Sequence, residues 1–152
     1  MKRAAWCLGV VIVFGIVSMA LAQQPKGHLR GTWKVVEVNG GPEGTNTRPQ
    51  PGLFLFTDKY YSAMRVTGTK ARPKFVSNNV ATDAEKIASY DGFFAQAGTY
   101  EVSGATITTR PLVAKAEFPM MGPPSKGEVK IDGDTLKWTF ASGQTMTFTR
   151  VD

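Results

Sequence analysis

The sequence predicts an all-β fold, an up-and-down antiparallel barrel of about eight strands with one short helical insertion. Three observations carry this. From Leu29 onward, β-branched and aromatic residues fall in short runs separated by turn residues, the strand-and-turn pattern. Asp132-Gly133-Asp134 and Ser142-Gly143 are short glycine-containing connections, the strongest local hairpin signals in the chain. One stretch, Ala81 to Gln96, breaks the alternation and reads as helical.

Taken in order, strands are expected over Leu29–Val38, Leu53–Thr57, Tyr60–Thr67, Thr99–Ser103, Thr106–Phe118, Gly127–Asp132, Thr135–Ala141 and Gln144–Arg150. Glu43 to Gly52 is rich in Gly, Pro, Asn and Thr and reads as an irregular loop. Within the insertion, Thr82-Asp83-Ala84-Glu85 offers an N-cap with acids in the first turn, and the helix should end near Tyr90-Asp91-Gly92. Pairing of the first strand with the last would remove both sheet edges.

The first residues differ from all that follow. Lys2 and Arg3 precede an apolar run from Ala4 to Val17, and Ala20-Leu21-Ala22 leads into the polar Gln23-Gln24-Pro25. A basic start, an apolar stretch and an A-x-A exit form a cleaved secretory signal, whereas an uncleaved membrane anchor is the competing reading. Residues 1–22 are therefore expected to be a signal peptide, 23–28 a disordered lead and 29–152 one barrel domain, exported to the periplasm or beyond, with no stable membrane anchor after cleavage. The single cysteine, Cys7, would leave with the signal, so the mature chain would hold no disulfide and no thiolate. Loss of Lys2 and Arg3 lowers the net charge from +6 to +4. The densest basic patch, Lys70, Arg72 and Lys74, has no interleaved aromatic residue to stack on bases, and nucleic acid is not an expected partner.

Catalytic signatures are few. His28 is the single histidine and stands before the first strand, which argues against Ser-His-Asp catalysis and a histidine metal site. Asp132-Gly133-Asp134 lacks further oxygen ligands at the spacing calcium requires and reads as a turn. No glycine-rich phosphate loop follows a strand. Neither metal nor cofactor is expected.

Leu29-Arg30-Gly31-Thr32-Trp33-Lys34-Val35-Val36 resembles the opening Gly-x-Trp strand of the lipocalin and fatty-acid-binding superfamily, and Thr147-Phe148-Thr149-Arg150 resembles its closing strand. Between them, Tyr90 to Glu101 and Phe118-Pro119-Met120-Met121-Gly122 are similar to the bacterial lipocalin-like domain family and its Phe-Pro-x-x-Gly loop. The resemblance implies that Arg150 packs on Trp33 to close the barrel. It departs from the fatty-acid-binding proteins in two places: residues 39–52 cannot form a helix-turn-helix lid, and Arg150-Val151-Asp152 replaces the Arg-x-Tyr that holds a carboxylate.

Strand alternation selects the candidate lumen residues Glu37, Tyr61, Tyr100, Trp138 and Phe148. Glu37 shares a face with Trp33 and Val35, so an inward Trp33 would bring a carboxylate into the barrel, where it would pair with Arg65 or Arg110, bind a ligand group or mark a different register. The competing reading places Glu37 near a strand end, in water. Phe93 and Phe94, at the end of the helical insertion, are expected to form a lid over the open end, with packing on the barrel flank as the rival. Three functions fit this set. The leading one is binding of a small, mostly apolar molecule or lipid. The others are a small-barrel enzyme of the cyclase or isomerase kind, with Glu37, Tyr61 or Tyr100 as acid or base, and a protein-interaction barrel like the secreted bacterial metalloprotease inhibitors, its protein partner unspecified.

Overall fold

A computed structural model describes residues 28–152 apart from 42–43, 73 and 76–79. The expected signal segment, its expected cleavage position after Ala22 and most of the expected lead lie outside the described residues. The elements are β1 (Gly31–Asn39), β2 (Thr45–Asn46), β3 (Gly52–Phe56), β4 (Tyr60–Val66), α1 (Asp83–Asp91), β5 (Phe93–Ser103), β6 (Thr106–Ala114), α2 (Phe118–Met121), β7 (Ser125–Asp132), β8 (Thr135–Phe140) and β9 (Thr145–Arg150). From β3 to β9 each strand pairs antiparallel with the next, β1 pairs with β3, and β1 also pairs with β9. The result is a closed eight-strand barrel, with β2 as a short extra strand on β1.

Hairpin chemistry sets much of this order. Gly133, at φ 53°, is the first of the two residues joining Asp132 to Thr135, a position where a positive φ matches the twist of the flanking strands. Burial then follows a period of two: Gly52, Phe54 and Phe56 on β3, Tyr61 and Ala63 on β4, Leu136 and Trp138 on β8, and Met146 and Phe148 on β9 point inward. Trp33 and Phe148 are fully buried at one end of the barrel, together with Leu29, Ile107 and Leu136.

Three differences from the expected elements bear on the site. The strand expected from Thr99 begins at Phe93, because Phe93 to Thr99 pairs with Val66 to Tyr60 on β4. This long-range pairing overrides a local pattern compatible with helix. The strand expected to reach Phe118 stops at Ala114, and Pro119, which has no N–H to give a ladder, enters the single turn α2. The third difference is a β-bulge. Val35 faces Phe148 and Glu37 faces Thr147, which leaves Val36 as the extra residue.

Helix α1 starts where expected. Thr82 accepts from the Glu85 backbone N–H, and the Glu85 carboxylate accepts from Thr82 N at 2.7 Å, a complete capping box. The chain before β1 is held too, because Arg150 donates to the carbonyls of His28 at 2.6 Å and Arg30 at 2.7 Å.

Candidate ligand cavity

The two ends of the barrel are filled differently. At the end holding Trp33, large side chains meet across the axis, among them Phe56, whose ring packs edge-on to Tyr100 at 5.2 Å. Toward the other end the inner face carries Ala63, Gly98, Thr109 and Gly127, which are too small to reach across. A cavity of about 740 Å³ results, within the range of small-molecule sites. Phe54, Phe94, Trp138, Phe140 and Met146 form much of its wall, and Trp138 stacks on Phe140 at 4.9 Å. Its mouth is bordered by Pro119 and the run from Gly122 to Lys126 on one side, and by Ala141, Ser142 and Gln144 on the other.

Polar groups sit among the rings. The Gln96 amide donates to the Tyr61 hydroxyl at 3.0 Å, and Thr109 is a further hydrogen-bond partner of Tyr61. Burial pushes the Tyr61 pKa above its usual value, with the Thr109 bond pulling weakly the other way. The phenol therefore stays protonated at neutral pH and serves as a hydrogen-bonding group. The buried Trp138 indole N–H has no acceptor among the described residues, whereas the Trp33 N–H donates to the Leu29 carbonyl at 2.8 Å. Arg65 lies at the rim, on the face of β4 that also carries Tyr61 and Ala63. Among the described residues, no Asp, Glu or His lines the cavity.

The structure brings Tyr61, Trp138 and Phe94 to this cavity and leaves the other sequence candidates elsewhere. Tyr100 and Phe148 are buried in the filled end: Tyr100 donates its hydroxyl to the Thr57 carbonyl at 2.6 Å, and the Phe148 ring lies 4.8 Å from that of Phe54. Glu37 is not on the inner face. It opposes Thr147, which lies between the inward Met146 and Phe148, so the bulge turns the carboxylate outward. Trp33 and Arg150 close the opposite end, with the guanidinium 4.1 Å from the indole ring centroid.

The expected lid is corrected. Phe93 and Phe94 belong to β5, not to α1, and face opposite sides of the sheet. Phe94 lines the cavity, whereas Phe93 lies outside beneath Arg72, 5.3 Å from the ring centroid. No residue of α1 lines the cavity and none is buried. The helix rests on the flank, where Tyr90 donates to the Lys115 carbonyl at 3.1 Å and Lys115 Nζ lies 4.0 Å from the Tyr90 ring centroid. Bordering the mouth instead are α2 and the turn after it.

Gln96, Thr109 and the 119–124 segment were not legible as lining, and Arg65 was legible only as a partner for Glu37. Gln96 and Phe94 follow from Tyr100 by alternation once β5 is extended backward. Phe118-Pro119-Met120-Met121-Gly122 was the visible signal for the mouth, as a motif without an assigned place.

No protein-family model matches the chain, and no characterised relative does so by sequence. Solved structures do. A lipocalin-like protein from Bacteroides uniformis ATCC 8492 aligns over 82% of this chain and 100% of its own, with a TM-score of 0.52 and 16% identity. An uncharacterized protein from Bacteroides eggerthii DSM 20697 aligns over 81% and 99%, with a TM-score of 0.49 and 9% identity. The fold is a lipocalin-like barrel.

Proposed function

We propose that this chain is an exported binding protein that takes a small, mostly apolar molecule into the open end of its barrel. The observation that carries the reading is the cavity of about 740 Å³ between Phe54, Phe94, Trp138, Phe140 and Met146. Apolar walls with a few placed polar groups are the usual composition of small-molecule sites. A binding role is favoured over an enzymatic one because Glu37, the carboxylate that acid–base chemistry would call upon, faces outward. Tyr61 is held protonated by burial. Export is supported by the charged start, apolar run and Ala20-Leu21-Ala22 exit.

The test is titration with N-phenyl-1-naphthylamine, together with native mass spectrometry of protein purified from its host. Saturable fluorescence enhancement, or a copurified small molecule, is expected. Folded protein that shows neither withdraws the binding reading. N-terminal sequencing should begin at Gln23; Met1 retained on membrane-bound protein would overturn export with cleavage.

A further inference from the structure

We infer that the rim of the open end is a docking surface for an anionic lipid membrane, placed so that an apolar ligand passes between bilayer and cavity. The inference rests on the binding reading only for the ligand's passage; the docking surface stands on its own observations. The first is where apolar side chains are exposed. Leu112 is 65% exposed, Val113 61% and Met121 81%, levels far above those of the filled core.

All three adjoin the mouth. Leu112 and Val113 directly follow Pro111, and Met121 lies between Pro119 and Gly122, three residues that line the cavity. The bulge in β6 turns the first two outward: Gly98 opposes Pro111 and Ala97 opposes Val113, so Leu112 is the extra residue. Helix α2 packs on β6, and the Tyr90–Lys115 contacts hold α1 beside the end of the same strand. Ile87 and Tyr90 of α1 are exposed as well. Clustered exposed apolar residues beside a cavity mouth mark a contact surface rather than ordinary surface scatter.

The second observation is charge. Arg110, Lys115 and Lys126 fall in the stretch that carries the patch, and Glu117 is the single acid between residues 110 and 126. The opposite end of the barrel carries Asp58, Asp132, Asp134 and Asp152 in its connections and terminus, beside Arg30, Lys59 and Arg150. Acids are thus in slight excess there, whereas between residues 110 and 126 three basic side chains stand against one acid. Apolar side chains seated among headgroups, flanked by lysine and arginine, are the combination that holds a protein on an anionic bilayer surface.

Flotation of the full-length protein, after signal processing by its host, with phosphatidylcholine vesicles and with phosphatidylcholine–phosphatidylglycerol vesicles tests this. Association with the anionic vesicles is expected, weakened by added salt. Leu112→Asp/Met121→Asp should reduce it by more than about tenfold. Circular dichroism and N-phenyl-1-naphthylamine affinity in vesicle-free solution should stay as in the parent. No association of the parent with anionic vesicles overturns the proposal, as does equal association of the double variant. So does a concentration-dependent dimer that the same variant abolishes, since the patch would then be covered by a second copy. Failure of the probe to bind, with vesicle association intact, removes the cavity reading and leaves the docking surface standing.

Discussion

Arg150 lies across Trp33 at the filled end of the barrel, its guanidinium 4.1 Å from the indole ring centroid, on the residue directly opposite in the β1–β9 pairing. The same guanidinium reaches the carbonyls of His28 and Arg30, so one side chain ties the last strand to the first and to the chain before it. Gly31 makes room for this: a Cβ there would lie 2.5 Å from Arg150 Nη1, at a φ of 127°. Asp152 adds a second tie, accepting from Thr32 N at 2.7 Å and Thr32 Oγ1 at 2.8 Å, and these bonds hold its pKa below the usual carboxylate value.

Closure should therefore fail in a graded way. Trp33→Ala removes a fully buried side chain and should cost about 3–5 kcal/mol. Arg150→Leu loses the cation–π contact and two charge-assisted bonds, for about 1–3 kcal/mol. The exposed Asp134 partner of Arg150 contributes little. Denaturant titration measures both variants. Two neutral substitutions would mean that β1 and β9 do not meet as described.

Alkaline pH should weaken the fold through two phenols. Burial raises the pKa of Tyr61, and the pKa of Tyr100 is raised by burial and by the nearby Asp58 charge, against a smaller opposing effect of Arg30. Below the free tyrosine value of about 10 both phenols are protonated, folded or unfolded. Above it the unfolded chain releases protons that the fold retains, so stability is lost as pH rises from about 10 through the raised folded values. Tyr61→Phe with Tyr100→Phe should flatten that decline in urea midpoints followed against pH. An unchanged slope would count against both assignments.

Phe93 and Phe94 separate wall from exterior. Phe94→Ala should weaken N-phenyl-1-naphthylamine binding by about tenfold, the loss expected for an apolar wall side chain. Phe93→Ala should leave binding near the parent value, since its ring sits outside beneath Arg72. Ile87→Ala on α1 should do likewise. Equal effects from Phe93 and Phe94 would restore the helix-borne lid.

What the sequence displayed and what it hid divide along physical lines. The meeting of the first and last strands was legible from glycine-marked hairpins and a consecutive strand order, and Arg150 on Trp33 from the resemblance to the lipocalin and fatty-acid-binding superfamily. The Thr82 cap was legible because capping is local chemistry. Glu37 was misplaced because a period-two count runs through a bulge that only the β9 partner reveals. The strand from Phe93 to Gly98 was missed because its pairing partner lies about thirty residues earlier, across the helical insertion. The cavity depends on which inner-face residues are small at one height of the barrel, and that emerges only from the register of all eight strands.

The polar cluster inside the cavity gives the most discriminating prediction. Gln96 donates to Tyr61, and Tyr61 in turn bonds with Thr109, so polar groups surrounded by apolar walls satisfy one another. Removing one partner weakens the cluster unequally. Tyr61→Phe should cost about 1–3 kcal/mol by leaving the Gln96 donor without its acceptor, and Gln96→Leu should cost less, because the Tyr61 hydroxyl keeps Thr109 as a partner. Removing both leaves neither group stranded, so the double variant should be less destabilised than the two single losses combined, with a coupling of about 0.5–3 kcal/mol. An additive cycle in urea unfolding would show that the two side chains do not depend on each other. The double variant also reports on the cavity, because it turns polar wall into apolar wall. Its affinity for N-phenyl-1-naphthylamine should equal or exceed that of the parent if the probe occupies this space. A strong loss of affinity with the fold intact would mean that the polar cluster itself, and not the apolar wall, holds the probe.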